Sequence, residues 1–366
     1  MKTVTLVLLT IILTIANNTV SGQTKAKKTT REDNYIKGIV KSVTKLTYPA
    51  SSVGGVAQKG ALESKRTSTY DQYGNLIEFS FNNLATKYAG KQTYQFNARN
   101  QETEYKSFDE TGTVKEMKTH KYDEKGNMIE EANLKTIGVF IWKVSNTYDS
   151  KGNKTESVKN VMADNSNTKT TYLYDSNNNL TEENLFDNKG RNYKKFTYKY
   201  DGENRLLEKA TYNISEEDWD GDNEIADYKD TYKYDAKGKV IEKTEGRPSV
   251  LGDDKHIYTY DASGNQIEDM KTNSPKSRKT RKYDAAGNVL ELVSYNASDA
   301  VEETAIYTVN NRNENTSYTL LNADGSVKSK YIYKYEGEDK SGNWLKMSTE
   351  KDGAPLFIFE REIVHY

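Results

Sequence analysis

The chain has 366 residues, a formal net charge of −1 and a hydrophobic fraction of 34%, with 28 tyrosines and no cysteine. Ordinary globular domains are more apolar than this, so a doubly wound or TIM-barrel enzyme with a thick core is not expected. The lack of cysteine excludes disulfides, a thiol nucleophile and cysteine-ligated zinc, and the 11% aromatic content is far above that of disordered chains. The composition favours an all-β, tyrosine-rich protein with much of its sheet in water.

The first 22 residues are predicted to be a secretory signal peptide. Lys2 is followed by a nearly unbroken apolar run, Val4–Ala16, and Val20–Gly22 is a small-residue cleavage motif. The apolar run is too short for a transmembrane anchor, so we expect an exported protein without such an anchor. Residues 23–35 are basic and polar and are predicted to be a flexible leader.

The remaining chain, 36–366, is dominated by a repeat of about 26 residues that an aromatic residue opens. The spacing is 26 throughout the first six copies and then 34, 26, 23 and 24. The ten aromatics, followed by a degenerate copy at Tyr335, are Tyr70, Phe96, Tyr122, Tyr148, Tyr174, Tyr200, Tyr234, Tyr260, Tyr283 and Tyr307. Such periodicity predicts an architecture in which each unit packs against its neighbours.

A turn signature follows the aromatic in each copy. The next residue is Asp in eight of ten copies, and the fourth is always Gly or Asn, from Gly74 to Asn311. Gly and Asn tolerate positive φ, so Asp followed three residues later by either predicts a type I turn closed by a G1 bulge. A second turn falls half a period later, for example at Asp109–Gly112 and Asp187–Gly190.

Alternation between the turns predicts two strands in each copy, with Tyr172 and Tyr174 on one face and Leu173 on the other. The copies at 70–345 would give about twenty strands in one continuous antiparallel meander of hairpins, with capping strands at both ends of the 36–366 domain. We expect this sheet to twist or curl into a spiral or a partial shell.

Five copies contain the motif Tyr-Asp-x-x-Gly-Asn, at 70–75, 122–127, 148–153, 260–265 and 283–288. This motif resembles the YD repeat of RHS-type bacterial surface and toxin-delivery proteins. The resemblance implies a spiralling β-sheet shell, which in toxin proteins encloses a C-terminal effector, and an association with carbohydrate binding. The chain is most similar to the short secreted YD-repeat proteins of Bacteroidetes, since we find no RHS core signature, autocleavage motif or toxin domain. That similarity implies a periplasmic or cell-surface location in a Gram-negative bacterium.

The recurring aromatic and acidic residues form the candidate binding site. Glu stands eight residues after the aromatic in nine copies, and hairpin geometry predicts that it faces the residue two before the aromatic. Examples of the expected pairs are Tyr172 with Glu182, Tyr198 with Glu208 and Tyr258 with Glu268. The pattern indicates either structural cross-strand pairs or a sugar-binding stripe. The candidate ligand-binding residues are Tyr172, Tyr174, Tyr198, Tyr200, Tyr258 and Tyr260.

One acidic insertion, 215–227, departs from the repeat. Its alternating carboxylates form a candidate Ca²⁺ site, and the alternative is a solvated acidic loop. The candidate metal ligands are Asp218, Asp220, Asp222 and Glu224, and no other cofactor is expected. Lysines alternate with aromatics at 194–199, but the balanced charge argues against a nucleic-acid partner.

The leading hypothesis is a non-catalytic secreted or periplasmic scaffold that binds a glycan or an extracellular protein through an aromatic strand face. One alternative is a glycan-active hydrolase that uses repeat carboxylates as acid and base. A second alternative is a β-shell that encloses a separately encoded cargo, which requires a closed cavity. The sequence leaves the oligomeric state open.

Overall fold

The computed structural model describes residues 36–136, 139–214, 226–246, 253–273 and 275–366. The predicted signal peptide and leader, 1–35, lie outside the described residues. The same is true of the candidate Ca²⁺ ligands Asp218, Asp220, Asp222 and Glu224.

The described residues form 25 β-strands. No helix in this part of the chain is long and apolar enough to cross a membrane. The strands are β1 (Val40–Val53), β2 (Val56–Lys59), β3 (Ser64–Tyr70), β4 (Leu76–Asn83), β5 (Tyr88–Phe96), β6 (Glu102–Phe108), β7 (Val114–Tyr122), β8 (Met128–Thr136), β9 (Val139–Tyr148), β10 (Lys154–Val161), β11 (Ser166–Tyr174), β12 (Leu180–Phe186), β13 (Asn192–Tyr200), β14 (Leu206–Asn213), β15 (Tyr228–Tyr234), β16 (Val240–Gly246), β17 (Asp254–Tyr260), β18 (Gln266–Lys271), β19 (Ser277–Tyr283), β20 (Val289–Tyr295), β21 (Val301–Val309), β22 (Asn315–Asn322), β23 (Val327–Glu338), β24 (Trp344–Lys351) and β25 (Ala354–His365).

The sheet closes on itself. Each strand from β3 to β24 pairs antiparallel with the next strand along the chain, and β1 pairs with both β3 and β25. Val43, for example, lies opposite Ser68 on one side and Ile363 on the other. The result is a barrel of 24 strands, and the short β2 forms a hairpin with the end of β1. The predicted meander of hairpins is confirmed, but the predicted spiral or partial shell is wrong because the first and last strands bond to each other.

The barrel is wide. Apart from β2 with β25, the backbone contacts between the described strands all join neighbours in the sheet, so no described strand packs its backbone closely against the far side. At about 4.8 Å per strand, a circular barrel of this strand number has a diameter of roughly 35 Å, and more when the strands tilt. Barrels with fewer strands than this already leave an aqueous channel.

The turn after the repeat aromatic has the predicted geometry. In the copy at Tyr122, the Asp123 N–H donates to the Asn127 carbonyl at 2.9 Å and the Gly126 N–H donates to the Asp123 carbonyl at 3.0 Å. Gly126 has φ of +91°, which glycine adopts without strain. The Asn127 side chain and backbone donate to the Asp123 carboxylate and hold its pKa below the ordinary value. The aspartate is therefore part of the turn.

The repeat continues through Val309 and not through Tyr307. Val309 pairs with Asn315 as Tyr283 pairs with Val289, so Val309 occupies the aromatic position, 26 residues after Tyr283. The positive φ in this copy accordingly falls at Asn313, at +63°, and not at the expected Asn311. A β-branched residue fills the strand position as well as an aromatic does, so the shape of the hairpin is kept.

A one-residue bulge after the repeat turn sorts side chains onto the two faces of the sheet. In the β11–β12 hairpin, Tyr174 pairs with Leu180 whereas Leu173 pairs with Glu182, so Thr181 is the extra residue. The expected pairing of Tyr172 with Glu182 is wrong, because the bulge moves the glutamate to the opposite face. The same correction applies to Tyr198 with Glu208 and to Tyr258 with Glu268.

The two faces differ in chemistry. We call the face with the repeat aromatic and the residue two before it the tyrosine face, and the other the ion-pair face. On the ion-pair face, Glu130 accepts from Lys121 at 2.8 Å and from Lys143 at 3.2 Å. Glu208 with Lys199 and Lys229, and Glu242 with Lys233 and Lys255, repeat the arrangement. Hydrogen bonds from these lysines hold the pKa of Glu130 and Glu242 below the ordinary value.

The first and last described segments meet at the seam between β1 and β25. His365 Nε2 lies 2.8 Å from Asp339 Oδ2, and both side chains are only 10% exposed. Asn343, in the same turn as Asp339, exchanges two hydrogen bonds with the Lys37 backbone, at 2.7 and 3.0 Å. These bonds attach both terminal segments to the last repeat turn.

We expect Asp339→Asn to lower the free energy of unfolding by about 1–2 kcal/mol more than the matched change Asp123→Asn. Both variants keep an oxygen for the turn amides, but only Asp339 faces His365. Burial works against the charge of Asp339, yet hydrogen bonds from Asn343 and His365 hold its pKa below the ordinary value. Its stabilising contribution is therefore full above about pH 4 and is lost as the pH falls. Urea unfolding of the two variants between pH 3 and 7 measures this, and equal losses would contradict the role of the seam.

Candidate ligand-binding face

The six predicted ligand-binding tyrosines all lie on the tyrosine face, but they occupy two columns with different roles. Tyr174, Tyr200 and Tyr260 are repeat aromatics. The Tyr200 hydroxyl donates to the Leu180 carbonyl at 2.9 Å and the Tyr260 hydroxyl donates to the Val240 carbonyl at 2.8 Å. Each acceptor lies six residues after the preceding repeat aromatic. The same column supplies hydroxyl-to-carbonyl bonds from Tyr122, Tyr148, Tyr234, Tyr283 and Tyr335. This column therefore joins successive hairpins.

The other column stands two residues before the repeat aromatic and contains Tyr172, Tyr198 and Tyr258. Each of these tyrosines lies directly opposite a charged residue on the next strand. Tyr232, in the repeat between Tyr198 and Tyr258, also lies opposite a charged residue. We call these four tyrosines and the charged residues opposite them the tyrosine stripe. It runs across strands β11 to β18, and its pairs are Tyr172 with Glu183, Tyr198 with Lys209, Tyr232 with Lys243 and Tyr258 with Asp269.

The tyrosine hydroxyls of the stripe are neutral donors. Burial, with the nearby charge of Glu183, raises the pKa of Tyr198 to about 12. Burial and the charge of Asp269 do the same for Tyr258, whose pKa is also raised to about 12. The Tyr198 hydroxyl donates to Glu183 Oε2 at 3.3 Å, which links it to the carboxylate of the preceding hairpin.

Lysines lie against two rings of the stripe, and a histidine ring stacks on a third. Lys209 Nζ is 5.8 Å from the centre of the Tyr198 ring, and Lys243 Nζ is 5.7 Å from that of Tyr232. His256 stacks on Tyr258 with ring centres 6.1 Å apart, and its Nδ1 lies 3.2 Å from Asp269 Oδ1. The stripe thus alternates flat apolar rings with donors and acceptors across four repeats, which is a surface suited to an extended polar ligand with apolar patches.

The sequence prediction misses Tyr232 and the charged residues opposite the tyrosines. Tyr232 lies 34 residues after Tyr198, which is the spacing of that pair of repeats, so the repeat phase alone identifies it. Glu183 and Asp269 stand nine residues after their repeat aromatics, a position with no constant residue type. Only the bulged register shows that this variable position, and not the constant glutamate, faces the tyrosines.

Metal binding finds no support in the described part of the chain, where no three histidine, aspartate or glutamate side chains converge as ligands. The candidate Ca²⁺ loop at 218–224 is not among these residues. Its role stays a prediction.

No family model and no curated protein matches the chain. Among solved structures, the chain is similar to the Tc holotoxin pore of Photorhabdus luminescens, with 13% sequence identity and a TM-score of 0.28. This similarity covers 78% of the chain but only 17% of the toxin chain. The chain is also similar to a porin-like protein from Bacteroides uniformis, with 10% identity, a TM-score of 0.22 and coverage of 88% and 97%. TM-scores this low support no conclusion about function.

We expect Tyr200→Phe and Tyr260→Phe each to lower the free energy of unfolding by about 1 kcal/mol, because each leaves a main-chain carbonyl without its donor. The matched control is Tyr258→Phe, which removes a hydroxyl from the stripe and keeps the ring. Chemical denaturation measures all three variants. A loss for Tyr258→Phe as large as for the other two would contradict the division of roles between the columns.

Proposed function

We propose that this protein is a non-catalytic, exported YD-repeat barrel that binds a glycan through the tyrosine stripe. The observation that carries the proposal is the set of half-buried tyrosine rings, each directly opposite a charged side chain, at one register position of four successive hairpins. The YD-repeat assignment rests on the motif in the sequence, and export rests on the predicted signal peptide.

The chemistry of the stripe favours a glycan over an apolar partner. A sugar ring offers an apolar face for stacking and hydroxyls at its edge, and the stripe offers both kinds of contact side by side. The spacing of the tyrosines also follows a repeat, as the residues of a polysaccharide do. An apolar docking surface would instead lack the lysines and carboxylates that separate the rings.

The hydrolase alternative has weaker support. A general acid in a glycosidase needs a raised pKa, whereas lysine hydrogen bonds lower the pKa of the repeat glutamates Glu130 and Glu242. These glutamates also lie on the face opposite to the tyrosines. These two glutamates are therefore poorly suited to the role of general acid.

The test is a glycan array probed with the secreted chain, followed by calorimetry on any ligand found. We expect Tyr198→Ala to weaken binding about tenfold, the equivalent of about 1.4 kcal/mol, because one stacking ring is lost. The matched control is Leu173→Ala. Leu173 is 55% exposed on the opposite face, beside Tyr172 and Tyr174, and its removal should leave affinity unchanged.

Two outcomes would overturn the proposal. One is a folded sample that binds no glycan on the array. The other is a ligand whose affinity falls with Leu173→Ala but not with Tyr198→Ala, which would place binding on the ion-pair face. A protein partner that competes at the stripe would replace the glycan as the ligand.

A second candidate function is a shell around a separately encoded cargo. Closure of β1 onto β25 favours it, because an open sheet cannot retain a cargo whereas a wide closed barrel has the space. Under this proposal one face of the sheet lines an enclosed space and the other meets bulk solvent.

The lack of native cysteine allows a direct test of this enclosure. Ser157→Cys places a thiol on the tyrosine face of β10, and Thr147→Cys places one on the ion-pair face of β9. An enclosed space predicts that one thiol reacts with a small maleimide but not with a maleimide on a long polyethylene glycol chain, while the other reacts with both. Mass spectrometry measures the labelling of each thiol. Equal labelling of both thiols by the large reagent would rule out a shell.

A further inference from the structure

One strand position on the tyrosine face has no side chain, and its absence leaves a trough in the surface. Six residues before the repeat aromatic, every other copy carries a side chain, from Ser64 and Ser277 up to Trp142 and Tyr228, but the copy at Phe96 has Gly90. Glycine weakens a strand interior, so its presence there commonly marks a place where another group approaches the backbone. Gly90 does not have positive φ, so no turn or bulge requires it.

Aromatic side chains stand around this glycine. Gly90 lies directly opposite Phe81 on β4, and Tyr88 on the same strand has its ring centre 6.0 Å from that of Phe81. The main chain of Phe108 on β6 borders the other side, where its carbonyl oxygen lies 3.7 Å from the place that a Cβ of residue 90 would take. The space they line has a volume of about 670 Å³ and is open to solvent. Tyr88 is 63% exposed, a high value for a ring that packs only within its own protein.

Polar groups stand at the edge of the same trough. The Arg66 guanidinium lies 5.1 Å from the centre of the Phe81 ring and has no ion pair among the described residues. The other two cations that line the trough are already paired, since Lys91 bonds Glu78 at 2.7 Å and Lys115 lies 3.6 Å from Asp109. Arg66 is thus the cation at this site that is left with several donors for a ligand oxygen.

We propose that this trough is a second glycan subsite, which holds one pyranose ring against Phe81 and Tyr88 above Gly90 and directs a carboxylate or hydroxyl of that ring to Arg66. The inference rests on the proposed function for its ligand class, but it concerns strands β3 to β6, separate from the stripe on β11 to β18. A flat ring fits because Gly90 leaves the strand backbone as the floor and the aromatic rings form the sides.

The substitution Gly90→Ala separates binding from folding. A methyl group at Gly90 would meet only the Phe108 carbonyl oxygen, at 3.7 Å, which is an ordinary contact. Alanine also restricts the unfolded chain more than glycine does. We therefore expect Gly90→Ala to leave the melting temperature unchanged or higher while it weakens sugar binding, and Gly90→Leu to abolish binding at the trough. A structural glycine would give the reverse, a loss of stability.

Saturation-transfer NMR with methyl glucoside and methyl glucuronide as separate probes tests the site on the full chain. We expect at least a tenfold weaker signal with Gly90→Leu and no change with Tyr198→Ala, which alters only the stripe. With Arg66→Gln, a selective loss of the glucuronide signal would support recognition of a carboxylate, and an equal loss of both probes would support recognition of a hydroxyl.

Failure of this proposal is distinguishable from failure of the proposed function. Binding that Tyr198→Ala reduces and Gly90→Leu leaves intact would overturn the trough and keep the stripe. The monosaccharide probes report on the trough, and the ligand found on the array reports on the stripe. Loss of probe binding with Gly90→Leu, together with an array ligand whose affinity Tyr198→Ala leaves unchanged, would keep the trough and overturn the stripe. If neither probe binds the unsubstituted protein, the trough proposal is overturned. The glycan array then tests the stripe independently.

Discussion

The barrel depends on one constraint in each repeat turn: a residue that accepts positive φ at its fourth position, followed by an extra residue in the returning strand. The first reverses the chain within five residues, and the second shifts the register by one. Because side chains alternate along a strand, that shift decides which residues share a face. The bulge therefore places the constant glutamates of the repeat on the face opposite to the tyrosines, and it places the variable residue that follows each of them on the tyrosine face.

Local features of this fold are readable from the sequence, and non-local ones are not. The turn with Asp and Gly or Asn, the strand alternation and the meander depend on neighbouring residues, so the pattern predicts them. Closure depends on whether Val43, in the first strand, pairs with Ile363 in the last. The repeat pattern contains no information about this pairing. The expected position of one copy, at Tyr307, is wrong for a related reason, because Val309 keeps the shape of the hairpin without an aromatic residue.

The candidate site shows the same division. The repeat predicts three tyrosines of the stripe, Tyr172, Tyr198 and Tyr258, and misses Tyr232. Tyr200 and Tyr260, which are predicted with them, instead donate hydrogen bonds that join successive hairpins. The charged partners Glu183 and Asp269 come from a variable position, which only the register assigns to the tyrosine face. The constant residues build the barrel, and the residues that vary from copy to copy give each sector its own chemistry. Gly90 is the extreme case, a position where variation removes the side chain.

The seam between β1 and β25 also limits how such a barrel changes size in evolution. Each repeat is one hairpin, so duplication or loss of a repeat adds or removes two strands and leaves the direction of the two seam strands unchanged. The circumference therefore changes in steps of about 10 Å, with the closing contacts reused at every size. Gain of a single strand would bring the seam strands together parallel, and the ring would no longer close with the same bonds. Recombination between repeats can therefore change the width of the barrel without any change in the strands β1 and β25 that close it.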